Sequence, residues 1–411
     1  MARSALFAIF AASLFMFSTG SPAAPADPPA KADPKKPDGF EGRTKEGKAR
    51  LLKEFGGSPE GEEAVMLGLA WLTQMQKSDG KWVYDIGAVN DLSAATGMAV
   101  LAFLGAGQSH KDGRYKQTVQ AGLDWLVKDV IMTPGRDHGK FKSSTNMYSQ
   151  GIATLALCEA YGMTHDPALK KTAQAAIDYI QKGQGPRGSW GYTAGTDNDT
   201  SILGWQIQAL HAARLTQDLK VDDKVIKKAI GFLEFVSPGQ TKSTYGYGNS
   251  SNAAPATALT AIGLLCRYYV DGWRSETTGF ADGSKGLLRA AVVERRPLAN
   301  GGPAPNPGPA RLSNMYYYYY ATQVVRFYGG EEWKTWNEGP AGDDGKRRGG
   351  LADWLLSLQV KTPTNRGSWD AEAGWFGQNC GRLGTTCMCL LTLEVYYRYS
   401  PEDDQKAPKK P

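Results

Sequence analysis

The chain repeats itself about every 54 residues. An apolar pair near the end of a helix-period segment recurs as Trp71-Leu72, Trp125-Leu126, Tyr179-Ile180, Phe232-Leu233, Leu287-Leu288 and Trp354-Leu355, at successive spacings of 54, 54, 53, 55 and 67. The last gap is longer partly because of the Pro/Gly-rich stretch from Arg295 to Ala310. A period of this length marks one supersecondary unit stacked several times. A turn follows most of the pairs: Gly80-Lys81-Trp82, Gly139-Lys140-Phe141, Gly188-Ser189-Trp190, Tyr245-Gly246-Tyr247 and Gly367-Ser368-Trp369. A polar cap and a second helix come next, with starts expected near Asp91, Asn146, Asp199, Asn252, Asn314 and Gly384. Asp and Asn suit such starts because their side-chain oxygen accepts from the free N–H groups of the first turn.

Each unit therefore reads as an αα-hairpin. The first helix is amphipathic, as Ala121, Trp125 and Lys128 illustrate. The second is apolar around its circumference, as in residues 93–104 (SAATGMAVLAFL) and 151–157 (GIATLAL). A helix of that kind is covered on all sides. One exposed and one buried helix per unit, six times over, gives an outer and an inner ring. An open solenoid has the same repeat; six units and the lack of polar capping repeats favour closure. The expected fold is all-α, a closed (α/α)6 toroid of six helical hairpins spanning residues 49–400.

The ends have a different character. Arg3, the apolar run from Ala5 to Phe17 and Ala24-Pro25-Ala26 read as a signal peptide over 1–26. The run is too short to span a bilayer comfortably, so no integral membrane segment is expected after cleavage. The protein is then exported, to a periplasm or the extracellular space. Residues 27–48 and 401–411 are rich in Pro, Lys and Asp and are expected to be a disordered tether and tail. The net charge of +6 carries no concentrated basic stripe, which argues against a nucleic-acid partner. Five cysteines, odd in number and scattered, exclude a disulfide scaffold.

Two turns are near-identical: Gln76 to Trp82 and Gln184 to Trp190 both read Q-x3-G-x-W, 108 residues apart, and Gln359 to Trp369 is a lengthened copy. This resembles the repeat motif of squalene-hopene and oxidosqualene cyclases, and more broadly the terpenoid cyclase and protein prenyltransferase superfamily. The resemblance implies a toroid over 61–400. It also implies a Gln bonded to helix-end backbone with the Trp stacked on it.

The chemistries of that superfamily leave incomplete traces. The cyclase acid motif D-x-D-D is matched only by Thr196-Asp197-Asn198-Asp199-Thr200. One alignment puts Asn198 where the proton donor belongs; the other keeps Asp197 and Asp199 and loses the last letter. Asp199 or Asp197 is thus the candidate acid of an atypical class II cyclase, an isomerase. The plainer reading of Asp199 is an N-cap, like Asp91 and Asn146 in other repeats. For zinc, none of His110, His138, His165 and His211 follows an inner-helix start, and Cys387 and Cys389 point to opposite sides of a helix. No metal and no cofactor is expected. A disulfide between Cys380 and Cys387 stays open, and Cys158 and Cys266 read as small core residues. The thioester run G-C-G-E-Q is absent around Cys380. A paired-carboxylate glycosidase would draw on Asp91, Asp199 and Asp370.

The fifth inner helix opens Asn314-Met315 and then runs through five tyrosines, Tyr316 to Tyr320. Five consecutive residues cover every direction of a helix, so about two rings should face the centre. Trp205, Asn314, Tyr316, Tyr317, Tyr320 and Arg382 are the candidate ligand-binding residues. The leading expectation is a toroid that binds an apolar small molecule, a glycan or an extended peptide in an aromatic-lined central cavity, without intact cyclase or zinc chemistry. The alternatives are the atypical cyclase and a polysaccharide-active (α/α)6 enzyme.

Overall fold

In the computed structural model the chain is described over residues 39–293, 312 and 314–399. In chain order the helices are α1 (Lys45–Phe55), α2 (Pro59–Met75), α3 (Leu92–Gly105), α4 (Lys116–Asp129), α5 (Met147–Thr164), α6 (Pro167–Lys182), α7 (Thr200–Leu215), α8 (Asp223–Val236), α9 (Ala258–Val270), α10 (Thr278–Val293), α11 (Met315–Tyr328), α12 (Gly330–Asn337), α13 (Leu351–Leu358), α14 (Trp375–Leu393) and α15 (Val395–Arg398). Among the described residues there are only isolated β-bridges and no strand.

The inner ring is α3, α5, α7, α9, α11 and α14. Each packs on the next, and α14 packs back on α3. That last contact closes the toroid. The inner helices are buried on nearly every side, and α3 exposes only its first residue in part. Small residues let them approach: a Cβ on Gly97 of α3 would sit 2.9 Å from the Cα of Ala153 in α5. The outer helices α2, α4, α6 and α8 each bury one face and show the other, and α10, α12 and α13 complete the outer layer.

The Q-x3-G-x-W turns tie the rings together in three equivalent copies. Trp82, Trp190 and Trp369 are fully buried, and each indole N–H donates at 2.8 Å to a carbonyl near the end of its own outer helix, Leu72, Ile180 and Leu355 respectively. Those carbonyls belong to the set a helix C-terminus leaves unpaired. Gln76, Gln184 and Gln359 each donate to two carbonyls, one in the turn and one in the first turns of the following outer helix: Thr118, Val225 and Ala64. The Gln bonds backbone near the start of the next outer helix, as the resemblance implies, and so links one repeat to the next; the Trp adds a bond to the end of its own helix. Gln359 reaches Ala64 of the first repeat, so the copy in the sixth repeat is a clasp on the closed ring. Gly80, Gly188 and Gly367 have φ between 91° and 97°, which favours glycine, and a Cβ at Gly188 would lie 2.0 Å from the Lys228 carbonyl oxygen.

Four of the expected inner-helix starts hold: Asp91, Asn146, Asp199 and Asn314 precede α3, α5, α7 and α11. The other two differ. The fourth helix starts at Ala258 with Thr257 as its cap, because Asn252 is used in a turn where its Oδ1 accepts from Tyr247 N. The sixth, α14, is two helical pieces joined at a kink at Gly381 (φ 61°): a short turn from Trp375, then the long inner segment from Arg382, close to the expected Gly384.

The tether also needs correction where it is described. Residues 41–43 form a 3₁₀ turn, and α1 begins at Lys45. Phe40 is buried against Gly162, and Arg43 is buried in an ion pair with Glu159 at 2.7 Å. One aromatic and one paired cation anchor a segment too polar to look foldable. The signal peptide, residues 27–38 of the tether and the tail lie outside the described residues, as does the Pro/Gly-rich stretch. Among the described residues no helix is long and apolar enough to cross a membrane.

Candidate functional site at the mouth of the toroid

The two ends of the toroid are chemically unlike. The C-terminal ends of the inner helices meet over a buried ionic cluster. Glu159 of α5 receives Arg43 at 2.7 Å and Arg398 at 3.0 Å, together with the Tyr399 hydroxyl. Burial alone would raise the Glu159 carboxyl; the guanidiniums of Arg398 and Arg43 outweigh it and hold it below its usual range. Arg398 also donates to the Tyr319 hydroxyl at 2.9 Å, which donates to Gln208 at 2.7 Å.

The middle is filled with aromatic rings. Trp205 is buried and stacks on Tyr319 with centroids 5.5 Å apart, and Tyr320 meets its edge at 5.8 Å. Tyr316, Tyr319 and Tyr320 face the centre. Tyr317 and Tyr318 face outward: Tyr317 donates to the Leu287 carbonyl at 2.8 Å, and Tyr318 packs on Trp336 and Trp354. Three rings therefore turn inward, and Tyr317 does not touch the cavity. Trp205 and Tyr320 form the plug beneath the cavity, not its lining.

Above this plug, at the N-terminal ends, a cavity of about 480 Å3 opens to solvent. Its walls are Tyr148, Tyr192, Ser201, Asn314, Tyr316, Glu372, Gly374, Trp375 and Phe376. Trp375 is 63% exposed and Tyr192 is 54% exposed, so both present aromatic faces to whatever enters. Asn314 and Tyr316 are therefore in the site. Arg382 is elsewhere on the rim, committed to Asp370 and to Ser368 at 3.0 Å, while its backbone N–H donates to Asp85.

Three buried carboxylates ring the mouth. Asp199 caps α7: one oxygen accepts from Ser201 N at 2.7 Å and Ile202 N at 3.0 Å, the other from the Tyr247 hydroxyl at 2.6 Å, with Tyr148 at 3.3 Å. Asp91 stands at the N-cap position of α3 but makes no capping bond. Its side chain instead accepts from Thr145 at 3.0 Å and from Ser149 on the neighbouring helix. Glu372 lines the cavity and is 4% exposed, with its oxygens accepting from Met315 N and, at 3.3 Å, from Gly377 N. It thus caps two inner helices at once. Burial raises the carboxyls of Asp91, Asp199 and Glu372 above their ordinary values, and the hydrogen bonds only moderate it. Asp197 is not among them. It accepts from Arg187 N at 2.8 Å and Ser189 N at 3.1 Å and staples the second Q-x3-G-x-W turn, Gln184 to Trp190.

Sequence reasoning missed Glu372, Trp375, Tyr192 and Ser201. The available signal was the aromatic pair Trp375-Phe376 following Gly374, shortly before the apolar run of the sixth inner helix. All five cysteines are buried free thiols, so Cys380 and Cys387 are not bridged. Burial pushes the Cys380 thiol up to about 12, beside the Tyr84 hydroxyl. Among the described residues no three His, Cys, Asp or Glu side chains gather as a metal site.

No protein-family model matches the sequence, and no curated protein matches it. Solved structures do. An α-1,6-mannanase from Salegentibacter sp., determined with α-1,6-mannotetrose, superposes with a TM-score of 0.53 at 12% identity over 82% of this chain and 98% of that one. An α-amylase from Clostridium perfringens gives 0.53 at 14% identity, covering 82% and 98%. A type II terpene cyclase from Scytonema gives 0.46 at 14% identity, covering 85% and 99%. At these identities the likeness is one of fold: the chain is an (α/α)6 toroid.

Proposed function

We propose that the protein is an exported carbohydrate-binding toroid that takes an oligosaccharide in the cavity at its mouth. One observation carries this reading. Exposed aromatic faces, Trp375 and Tyr192, stand around a shallow cavity whose other walls offer an amide, hydroxyls and a carboxylate: Asn314, Ser201, Tyr316 and Glu372. A sugar ring has an apolar C–H face and a polar edge, and such a wall matches both. A polyprenyl chain would need a long dry channel, and here Trp205, Tyr319 and Tyr320 occupy the space below. The mannanase and amylase lend the fold a precedent for glycans. The repeated Q-x3-G-x-W turn supports kinship with squalene-cyclase-like repeat proteins as a matter of ancestry. Export rests on the apolar run from Ala5 to Phe17.

Binding is favoured over turnover because the mouth carboxylates are engaged by the fold: Asp199 and Glu372 cap helices, and Asp91 accepts from Thr145 and Ser149. A hydrolytic reading has one feature behind it: Glu372 is on the cavity wall with its carboxyl raised by burial, which suits a general acid. Tryptophan fluorescence titration with α-1,6-mannotetraose and other neutral tetrasaccharides tests the proposal. Binding should shift the emission and shield Trp375 from iodide, and Trp375→Ala should abolish both effects. Undiminished affinity in Trp375→Ala, or occupancy by a peptide or lipid instead, would contradict the proposal. Product analysis with wild type and Glu372→Gln separates binding from hydrolysis.

A further inference from the structure

A second cavity, of about 690 Å3, adjoins the mouth cavity at Tyr192. Tyr192 lines both cavities, so the two form one cleft divided by a ridge. The ridge is fixed in place. Met147 N donates to the Tyr192 carbonyl at 3.0 Å, Gly195 N donates to the Gly183 carbonyl at 2.8 Å, and Tyr148 packs edge-on against the Tyr192 ring at 5.7 Å. The second cavity has buried Tyr179 and Met147 on its wall, but its charge is the distinctive feature. Arg136, Lys140 and Lys182 line it against one acid, Asp137.

Several arginines elsewhere on this molecule are paired: Arg382 with Asp370, Arg347 with Glu331, Arg267 with Glu234 and Asp271. Arg136, Lys140 and Lys182 make no ion pair and no side-chain hydrogen bond among the described residues. Unpaired like charges in a concave wall focus a positive potential on the space they enclose, and an arginine fork suits a planar carboxylate or a sulfate.

We propose that this cavity is an anion subsite of the cleft, so that the glycan recognised is an acidic one. A sugar ring would rest on Trp375 and Tyr192, and a unit further along the chain would direct a carboxylate or sulfate to Arg136, Lys140 and Lys182. The proposal rests on the glycan reading of the mouth cavity and narrows it to a substrate class.

An array bearing neutral, uronic-acid and sulfated oligosaccharides, probed with the full chain, tests it. The tightest hit is then titrated beside a neutralised counterpart, methyl-esterified for a uronate or desulfated for a sulfate. Wild type is compared with the double variant Arg136→Ala/Lys182→Ala, whose two side chains are exposed, so an unchanged melt verifies folding. An acidic oligosaccharide should bind more tightly than its neutral counterpart, in a salt-sensitive manner. The double variant should lose about fivefold of that affinity while leaving the neutral counterpart unaffected. Preference for uronate or for sulfate identifies the anionic group. Neutral glycans bound as well as acidic ones, or acidic glycans bound equally by the variant, would overturn the subsite and leave the mouth cavity as a neutral-glycan site. Binding of no oligosaccharide at all would overturn the proposed function, and the subsite with it.

Discussion

Asp199 offers a substitution pair whose outcome follows from four short contacts. One carboxylate oxygen serves two backbone N–H groups of α7, at 2.7 and 3.0 Å, and the other serves the hydroxyls of Tyr247 at 2.6 Å and Tyr148 at 3.3 Å. Asp199→Asn keeps the capping oxygen, since Asn caps nearly as well as Asp. Its amide would face the Tyr247 hydroxyl, which can rotate to accept instead of donate. It also removes a carboxyl whose ionised form burial disfavours. The net change should stay within about 0.5 kcal/mol at neutral pH. Asp199→Ala removes the cap, at about 1 kcal/mol, and a hydrogen bond to a charged acceptor, at about 1.5 kcal/mol. Tyr247 is partly exposed and can turn to water, so the sum should come to roughly 2 kcal/mol. Urea denaturation at neutral pH reads both as shifts in midpoint at constant m. Equal losses in Asn and Ala would refute the capping argument, because the oxygen that caps would then not be what the position requires. If the Asn variant keeps its stability but abolishes turnover of a substrate, Asp199 is an acid and the binding reading fails at that residue.

Other perturbations probe other parts of the account. Trp205→Ala should hollow the centre and cost about 3–5 kcal/mol, and it should create a site for a small apolar probe such as benzene that the wild type lacks; calorimetric titration checks it. Gln359→Ala removes two hydrogen bonds, one of them the clasp to Ala64, and should lower stability by about 1–2 kcal/mol in urea. Glu159→Gln strips the buried Arg43 and Arg398 of their counter-charge and should cost about 3–5 kcal/mol, read by the same denaturation. The pH dependence has two opposed parts. Asp91 and Glu372 have raised folded-state pKa values, so they disfavour the folded state at neutral pH and release that penalty as pH falls toward their unfolded values. Glu159 is lowered, so its contribution is present above its unfolded value and is lost as pH falls below it. Asp91→Asn should therefore narrow the gain in stability seen on mild acidification, as measured by urea midpoints across pH.

The toroid was legible because the repeat is carried by residues with a mechanical job. Trp82 and Trp190 cap helix ends, and Gln76 and Gln184 bind the next repeat, so their spacing in sequence is the spacing of hairpins in space. Caps were legible where the Asp or Asn lies next to the helix, and failed at Asn252, whose side chain is spent on a turn five residues before Thr257 takes the role. The polar segment around Arg43 hid its burial because its partner, Glu159, is more than a hundred residues away. The mouth was only half legible. Asn314 and Tyr316 follow from helix start and helix face. Tyr317 went astray because five adjacent tyrosines give no phase, and only the outer contact to Leu287 fixes which rings turn away. Glu372 lies in the loop before α14 and Trp375 opens its first turn, where no periodicity speaks and only the closing of the ring brings them opposite Tyr148 and Tyr192.

A crystal structure with a bound tetrasaccharide tests the central claim most directly. A sugar ring should lie against Trp375 or Tyr192 in the mouth cavity, hydrogen-bonded to Asn314, with Trp205 still stacked on Tyr319 beneath it. A sugar held outside that cavity, or a ligand threaded through the centre with Trp205 displaced, would contradict it.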